Sequence, residues 1–121
     1  MGDKKENEQP PQGTPNPWIY IVHKRLDFST LQKGSSKTLQ ETLTNPNNTT
    51  LIWNVSITYG TGWTGWLSLN LSSGTIPANG NQDLSVMANT SALTPGTYNA
   101  TLTFSGNFSP NEQVAVNLVV Q

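Results

Sequence analysis

The nine residues Leu51-Ile52-Trp53-Asn54-Val55-Ser56-Ile57-Thr58-Tyr59 place an apolar side chain at every odd position. From Asn54 onward every even position is polar. Successive side chains of a β-strand point to opposite faces, so this pattern describes one half-buried strand. Trp53 is in phase with Leu51, Val55 and Ile57, which predicts that its indole lies in the core. The same period recurs along the chain. Leu39 to Thr44, Leu67-Leu69-Leu71, Leu84-Val86-Ala88, Tyr98-Ala100-Leu102-Phe104 and Val114-Val116-Leu118-Val120 each carry one apolar face. Trp18 to His23 is β-branched and aromatic, and Leu26-Asp27-Phe28 extends it. Turn signals separate the segments: Lys33-Gly34-Ser35-Ser36, Asn45-Pro46-Asn47-Asn48, Ser72-Ser73-Gly74, Ala78-Asn79-Gly80, Thr94-Pro95-Gly96 and Ser105-Gly106-Asn107. No helical stripe exceeds a turn. About seven short strands with one apolar face each predict an all-β, antiparallel two-sheet sandwich.

One position breaks the pattern. Counting in twos from Leu39 and Leu43 turns Glu41 inward. A buried carboxylate without a partner is costly, so the expectation is a β-bulge that flips the phase there.

The first 17 residues, MGDKKENEQPPQGTPNP, contain no apolar residue after Met1. Such a segment cannot bury surface, so residues 1–17 are expected to be a disordered Pro-rich linker before a domain at 18–121. Short charged, Pro-rich tethers are similar to those that follow the lipidated cysteine of bacterial surface lipoproteins. A lipid tether in the native form is therefore one expectation, and an intracellular start with a disordered arm is the other.

Charge narrows the function classes. Every Lys and Arg lies at or before Lys37, and beyond it only Glu41, Asp83 and Glu112 are charged. No basic stripe exists to neutralise phosphates, which argues against nucleic acid. No apolar run approaches the ~20 residues of a membrane span. The chain has no cysteine, hence no disulfide and no thiolate site. Asn, Ser and Thr make up roughly a third of the chain and must supply the polar surface. That composition on a β-rich chain suggests an extracytoplasmic setting. The Asn-x-Ser/Thr sequons follow from the same abundance.

Catalytic constellations are sparse. His23 is the only histidine, and it stands beside Lys24 and Arg25 in what reads as a solvated basic patch. Asp27, Glu41, Asp83 and Glu112 are widely spaced on different strands, with no pattern for a carboxylate pair or a zinc site. Asn81 and Asp83 are at most a weak calcium loop. The expectation is no enzyme, no catalytic residue, no cofactor and no metal.

Pro95-Gly96-Thr97-Tyr98 puts a Tyr two residues after a Gly at the start of a late strand. This fits a tyrosine corner, in which the hydroxyl bonds backbone a few residues upstream. An ordinary half-buried strand Tyr is the alternative.

The order of features resembles a known family. The elements are Leu26-Asp27-Phe28-Ser29, Thr38-Leu39 to Asn45, Leu51 to Ser56, Trp66-Leu67-Ser68-Leu69, Ser73-Gly74-Thr75 with Pro77, Leu84-Ser85-Val86, Leu93-Thr94-Pro95-Gly96-Thr97-Tyr98 and Val114 to Leu118. Together they resemble the BACON-type immunoglobulin-like domains of bacterial surface and secreted proteins, also found in phage proteins. The resemblance spans Leu26 to Val120. It implies an immunoglobulin-like sandwich and a non-catalytic module, with carbohydrate or mucin as the suggested ligand. It makes Trp66 part of the fold's signature, whereas simple alternation would expose it.

Alternate loops of an antiparallel chain share an end. Loops 60–65 and 89–96 should meet at one end, and loops 46–50, 72–81 and 106–112 at the other. Trp66 then caps the core beside Tyr98. Trp18, Trp63 and Phe108 remain as candidate exposed aromatics. Trp63, with Thr61 and Thr64, is the foremost candidate contact for a glycan or partner, since pyranose CH groups pack on an exposed π face. Trp53, Trp66, Gly96 and Tyr98 are assigned structural roles. Three readings follow: a structural or adhesive module that spaces partner domains on a bacterial surface, a carbohydrate-binding module using Trp63, and a phage decoration or fibre module on a virion.

Overall fold

A computed structural model describes residues 17–60 and 62–121. The expected linker therefore lies almost wholly outside the described residues, as does Thr61. Among the described residues nine strands form two sheets packed face to face: β1 (Tyr20–Ile21), β2 (Arg25–Leu31), β3 (Ser36–Thr44), β4 (Leu51–Tyr59), β5 (Leu67–Leu69), β6 (Ser73–Ile76), β7 (Asn81–Asn89), β8 (Gly96–Gly106) and β9 (Glu112–Val120). One sheet has the order β1-β3-β7-β5 and the other β2-β9-β8-β4-β6. The fold is the expected immunoglobulin-like sandwich. Its strand count exceeds seven by two, because the expected first strand divides into β1 and β2 and because β6 forms where a turn was expected.

The apolar faces lie where the period places them. Leu51 and Trp53 of β4, Leu84, Val86 and Ala88 of β7, and the alternate residues of β8 and β9 are buried. Trp53 is fully enclosed, with its ring 6.2 Å from Phe104. Polar partners face outward, as with Asn117, whose amide donates to Asn99 across β8 and β9 at 2.9 Å.

The N-terminal segment departs from one continuous strand. β1 pairs antiparallel with β3, through Tyr20↔Thr44 and Ile21↔Leu43. The chain then crosses to the other sheet, where β2 runs parallel to β9. Crossing lets Ile19 and Ile21 and then Leu26 and Phe28 enter the same core from two sheets. β2 contains the register shift, between Asp27 and Thr30, where Ser29 takes φ 60° and donates its N–H to Asp27 at 2.8 Å.

No bulge occurs at Glu41. β3 pairs with β7 in unbroken register from Ser36↔Asn89 to Thr44↔Asn81, so Glu41 points inward and is fully buried. The expected phase flip is thus wrong. The carboxylate is accommodated instead by the backbone N–H of His23, from another segment, and by that of Thr42 beside it.

The two ends of the sandwich are tied by buried polar groups. At one end Asn45 Nδ2 lies 2.8–3.0 Å from the carbonyls of Thr49, Ile76 and Pro77, and its Oδ1 accepts the N–H of Asn47 at 2.9 Å. At the other, Thr90 Oγ1 donates to the Gln32 carbonyl at 2.7 Å and accepts the Ser35 N–H at 2.8 Å. Each replaces backbone partners that the loops cannot supply to themselves.

Candidate functional site

The aromatic end of the molecule is built by four segments. β4 ends at Tyr59, the segment 62–66 leads into β5, loop 90–95 crosses beside it, and β8 begins at Gly96 and carries Tyr98. Trp66 precedes β5, outside the regular alternation. Its carbonyl accepts the Asn89 N–H at 2.9 Å, joining the 60s and 90s loops. The Trp66 indole is 3% exposed and stands between Tyr59, at 5.7 Å, and Tyr98, at 6.1 Å in an edge-on arrangement. Such aromatic contacts contribute beyond their buried area. Trp66 closes the core.

Tyr98 makes the hydrogen bond expected of a corner. Its hydroxyl donates to the Thr94 carbonyl at 2.5 Å, four residues upstream. Gly96, at φ 156°, opens β8 two residues before Tyr98, and the Tyr98 ring lies 3.9 Å from the place a Cβ would take. Tyr98→Phe leaves the ring packed but orphans the carbonyl. The expected loss is about 1–2 kcal/mol, read from urea unfolding with an unchanged m-value.

Tyr59 blunts an edge. Its hydroxyl lies 3.3 Å from the Leu67 carbonyl and 3.4 Å from the Leu67 N–H. These backbone groups face away from β7, where another chain could otherwise pair.

Against this end lies a groove of about 350 Å³, lined among others by Thr64, Trp66, Met87, Asn89 and Leu93. Trp63 directly precedes its Thr64 wall and is 51% exposed. Thr64 is also exposed. The groove offers an apolar floor with a few hydroxyl and amide groups on its rim, and no charged residue lines it.

The other aromatic candidates separate. Phe108 is 7% exposed, which corrects the expectation of an exposed ring. It packs into the opposite end, near Gly106. Trp18 is 48% exposed and stands at that opposite end, where its N–H and carbonyl bond the Asn47 side chain at 3.2 and 2.7 Å. Trp63 and Trp18 therefore belong to different ends.

His23 is more than a solvated basic residue. Its N–H donates to Glu41 Oε1 at 2.8 Å, and its Nδ1 lies 3.3 Å from the same oxygen. Thr42 N–H donates to Oε1 at 3.1 Å, while Oε2 is buried with no partner among the described residues. Burial pushes the Glu41 carboxyl above its ordinary value, against the pull of the His23 and Thr42 N–H groups and the His23 ring. Lys24 reaches Glu112 at 3.5 Å. Nothing local in the sequence announces the Glu41 contact, because its donor lies 18 residues away. Among the described residues no three His, Asp or Glu side chains gather into a metal-binding cluster.

These strands and this topology define an immunoglobulin-like β-sandwich module. The chain belongs to the viral BACON domain family, whose model matches residues 19–118. No curated protein sequence matches it. Among solved structures, it is similar to a PapD-like (ASH) domain of human CEP192, with TM-score 0.74 and 15% identity over 96% of this chain and 94% of that one. It is also similar to part of a Bacteroides ovatus GH5 xyloglucanase, with TM-score 0.61 and 14% identity over 86% of this chain and 19% of the other. A family 123 glycoside hydrolase from Clostridium perfringens matches with TM-score 0.69 and 9% identity, over 87% of this chain and 27% of that enzyme. At these identities the likeness is one of fold.

Proposed function

We propose that this domain is a non-catalytic immunoglobulin-like module that spaces or presents a partner on an extracytoplasmic surface, and that the surface is that of a virion. The observation that carries this reading is the viral BACON match across almost the entire sandwich. The chemistry of the described residues supports the non-catalytic part. The single histidine bonds a buried structural carboxylate, and the aromatic end carries no ionisable group in its groove. A bacterial cell surface or lipid-tethered display is the competing setting. Antibodies raised against the sandwich and imaged with purified particles decide between them. Labelling of particles is the expected result, and labelling confined to host cell envelopes overturns the virion reading.

A second reading is favoured by one observation, the half-exposed Trp63 beside an uncharged groove. Here the domain contacts a glycan or mucin through the Trp63 face, with Thr64 on the same rim. Titration of polysaccharides and mucin glycans against tryptophan fluorescence tests it. Trp63→Ala is expected to weaken any such binding at least tenfold and to change stability by under about 0.5 kcal/mol, as for an exposed loop residue. Absence of a response to every glycan, with identical behaviour of the variant, rejects this reading.

A further inference from the structure

We propose that the Glu41 carboxyl, bonded to the His23 backbone N–H, forms a proton-operated latch on an N-terminal strap, residues 17–22, which is tight when Glu41 is protonated and looser when it is ionised. The strap has few attachments. β1 contributes two ladder pairs, and the Val22 N–H donates to the Thr42 carbonyl at 3.1 Å. One end is held by Asn47 on Trp18 and by the Ser109 N–H on the Pro17 carbonyl at 2.9 Å. The other end, where the chain turns toward β2, is held by the His23 N–H on Glu41 Oε1. Inward, the strap places Ile19 and Ile21 in the core. Outward, it presents Trp18, Tyr20 and Val22 as an exposed apolar row.

The latch is sensitive to protons because its acceptor is incomplete. Oε1 receives His23 and Thr42, but Oε2 has no donor and no access to water. An ionised carboxylate in that position is relieved in two ways. A proton on Oε2 neutralises it and leaves Oε1 bonded to both backbone N–H groups, so the strap stays closed. Alternatively, the strap lifts and water reaches the carboxylate. The other charged groups nearby are Lys24 on the crossing to β2, Arg25 at the start of β2, Glu112 of β9, which faces Lys24, and Asp83 of β7, which takes the Thr42 hydroxyl at 3.0 Å on the outer face. None of these four bonds the Glu41 carboxylate.

The sign follows from linkage. The closed state holds the Glu41 carboxyl above its ordinary value, so the closed state binds more protons than the open one. Closure is therefore strongest below the ordinary carboxylate value. It weakens as pH rises through the value of the closed state.

The test uses the full chain. The Glu41 side-chain carboxyl signal and the amide-exchange protection of Val22 and His23, corrected for intrinsic exchange, are followed by NMR from roughly pH 4 to pH 8. Protection at these two amides is expected to fall by up to about tenfold per pH unit across the Glu41 titration. Leu102 and Val116 should not follow. Glu41→Gln keeps an acceptor for both N–H groups and cannot ionise, so its Val22 and His23 protection should become independent of pH. Flat protection through the wild-type Glu41 titration overturns the latch, as does a wild-type slope retained in Glu41→Gln. If that variant does not fold, the paired wild-type titrations decide alone.

Discussion

Gly106→Ala is expected to cost about 3 kcal/mol or more, the largest loss from adding one methyl group to this domain. Gly106 ends β8 opposite Trp53, where the 106–112 loop closes on β4. The approach is tight on every side. The Asn107 N–H donates to the Ile52 carbonyl at 3.2 Å, and the Ile52 N–H returns a bond to the Asn107 side chain at 2.9 Å. A Cβ on Gly106 would overlap the Ile52 carbonyl oxygen and lie 3.0 Å from Cε2 of the buried Phe108. Both obstacles are fixed, one being backbone in a strand and the other a packed ring. The chain can give way only by breaking the Ile52–Asn107 pair and lifting Phe108. Urea unfolding should show a lower midpoint with an unchanged slope. A loss under about 1 kcal/mol would mean that the loop relaxes freely.

Trp53→Ala is expected to cost about 3–5 kcal/mol, enough to lower the thermal midpoint by on the order of 10–20 °C. The indole is fully enclosed between the sheets, against Phe104 on one side and Gly74 of β6 on the other. Gly74 has no side chain to collapse into the space, since even its Cβ would stand 3.0 Å from the indole Nε1. That Nε1 has no hydrogen-bond partner. Trp53→Phe removes the unpaired N–H along with part of the ring, so it should recover more than half of the alanine loss. Calorimetry on the two variants checks the order. Equal losses would show that the indole N–H is satisfied in solution.

The alternation in Leu51–Tyr59 was enough to read the sandwich, because both faces of β4 sit in regular pairing where period two holds. The same count misjudged Glu41. It assumed that an inward carboxylate must be avoided, yet the His23 N–H reaches it from the crossing between β1 and β2, 18 residues away. It would also have exposed Trp66, which escapes the rule by preceding β5 at the sheet's end. Only the resemblance, and the count of which loops share an end, placed that residue in the core. Phe108 reads as a loop aromatic, but the close approach of Gly106 to Ile52 folds the loop inward and buries it. Asn45 and Thr90 look like ordinary turn residues. Their buried roles depend on carbonyls contributed by distant segments. Of the candidate contact, the exposure of Trp63 was legible as a large side chain in a Gly-rich turn. The adjoining groove was not, since loops far apart in sequence make it.

The parallel pairing of β2 with β9 has a mechanical consequence. Pro17 sits at one end of the sandwich, beside Ser109, and Gln121 sits at the other, bonded to Leu31 and Lys33. A pull between these two points runs along the strands, at right angles to most of the cross-strand hydrogen bonds. β1 and its two ladder pairs would bear the load first. After that the β2–β9 bonds would be strained together, sliding past one another rather than unzipping singly. A module loaded in shear through β2 and β9 resists extension with many bonds at once.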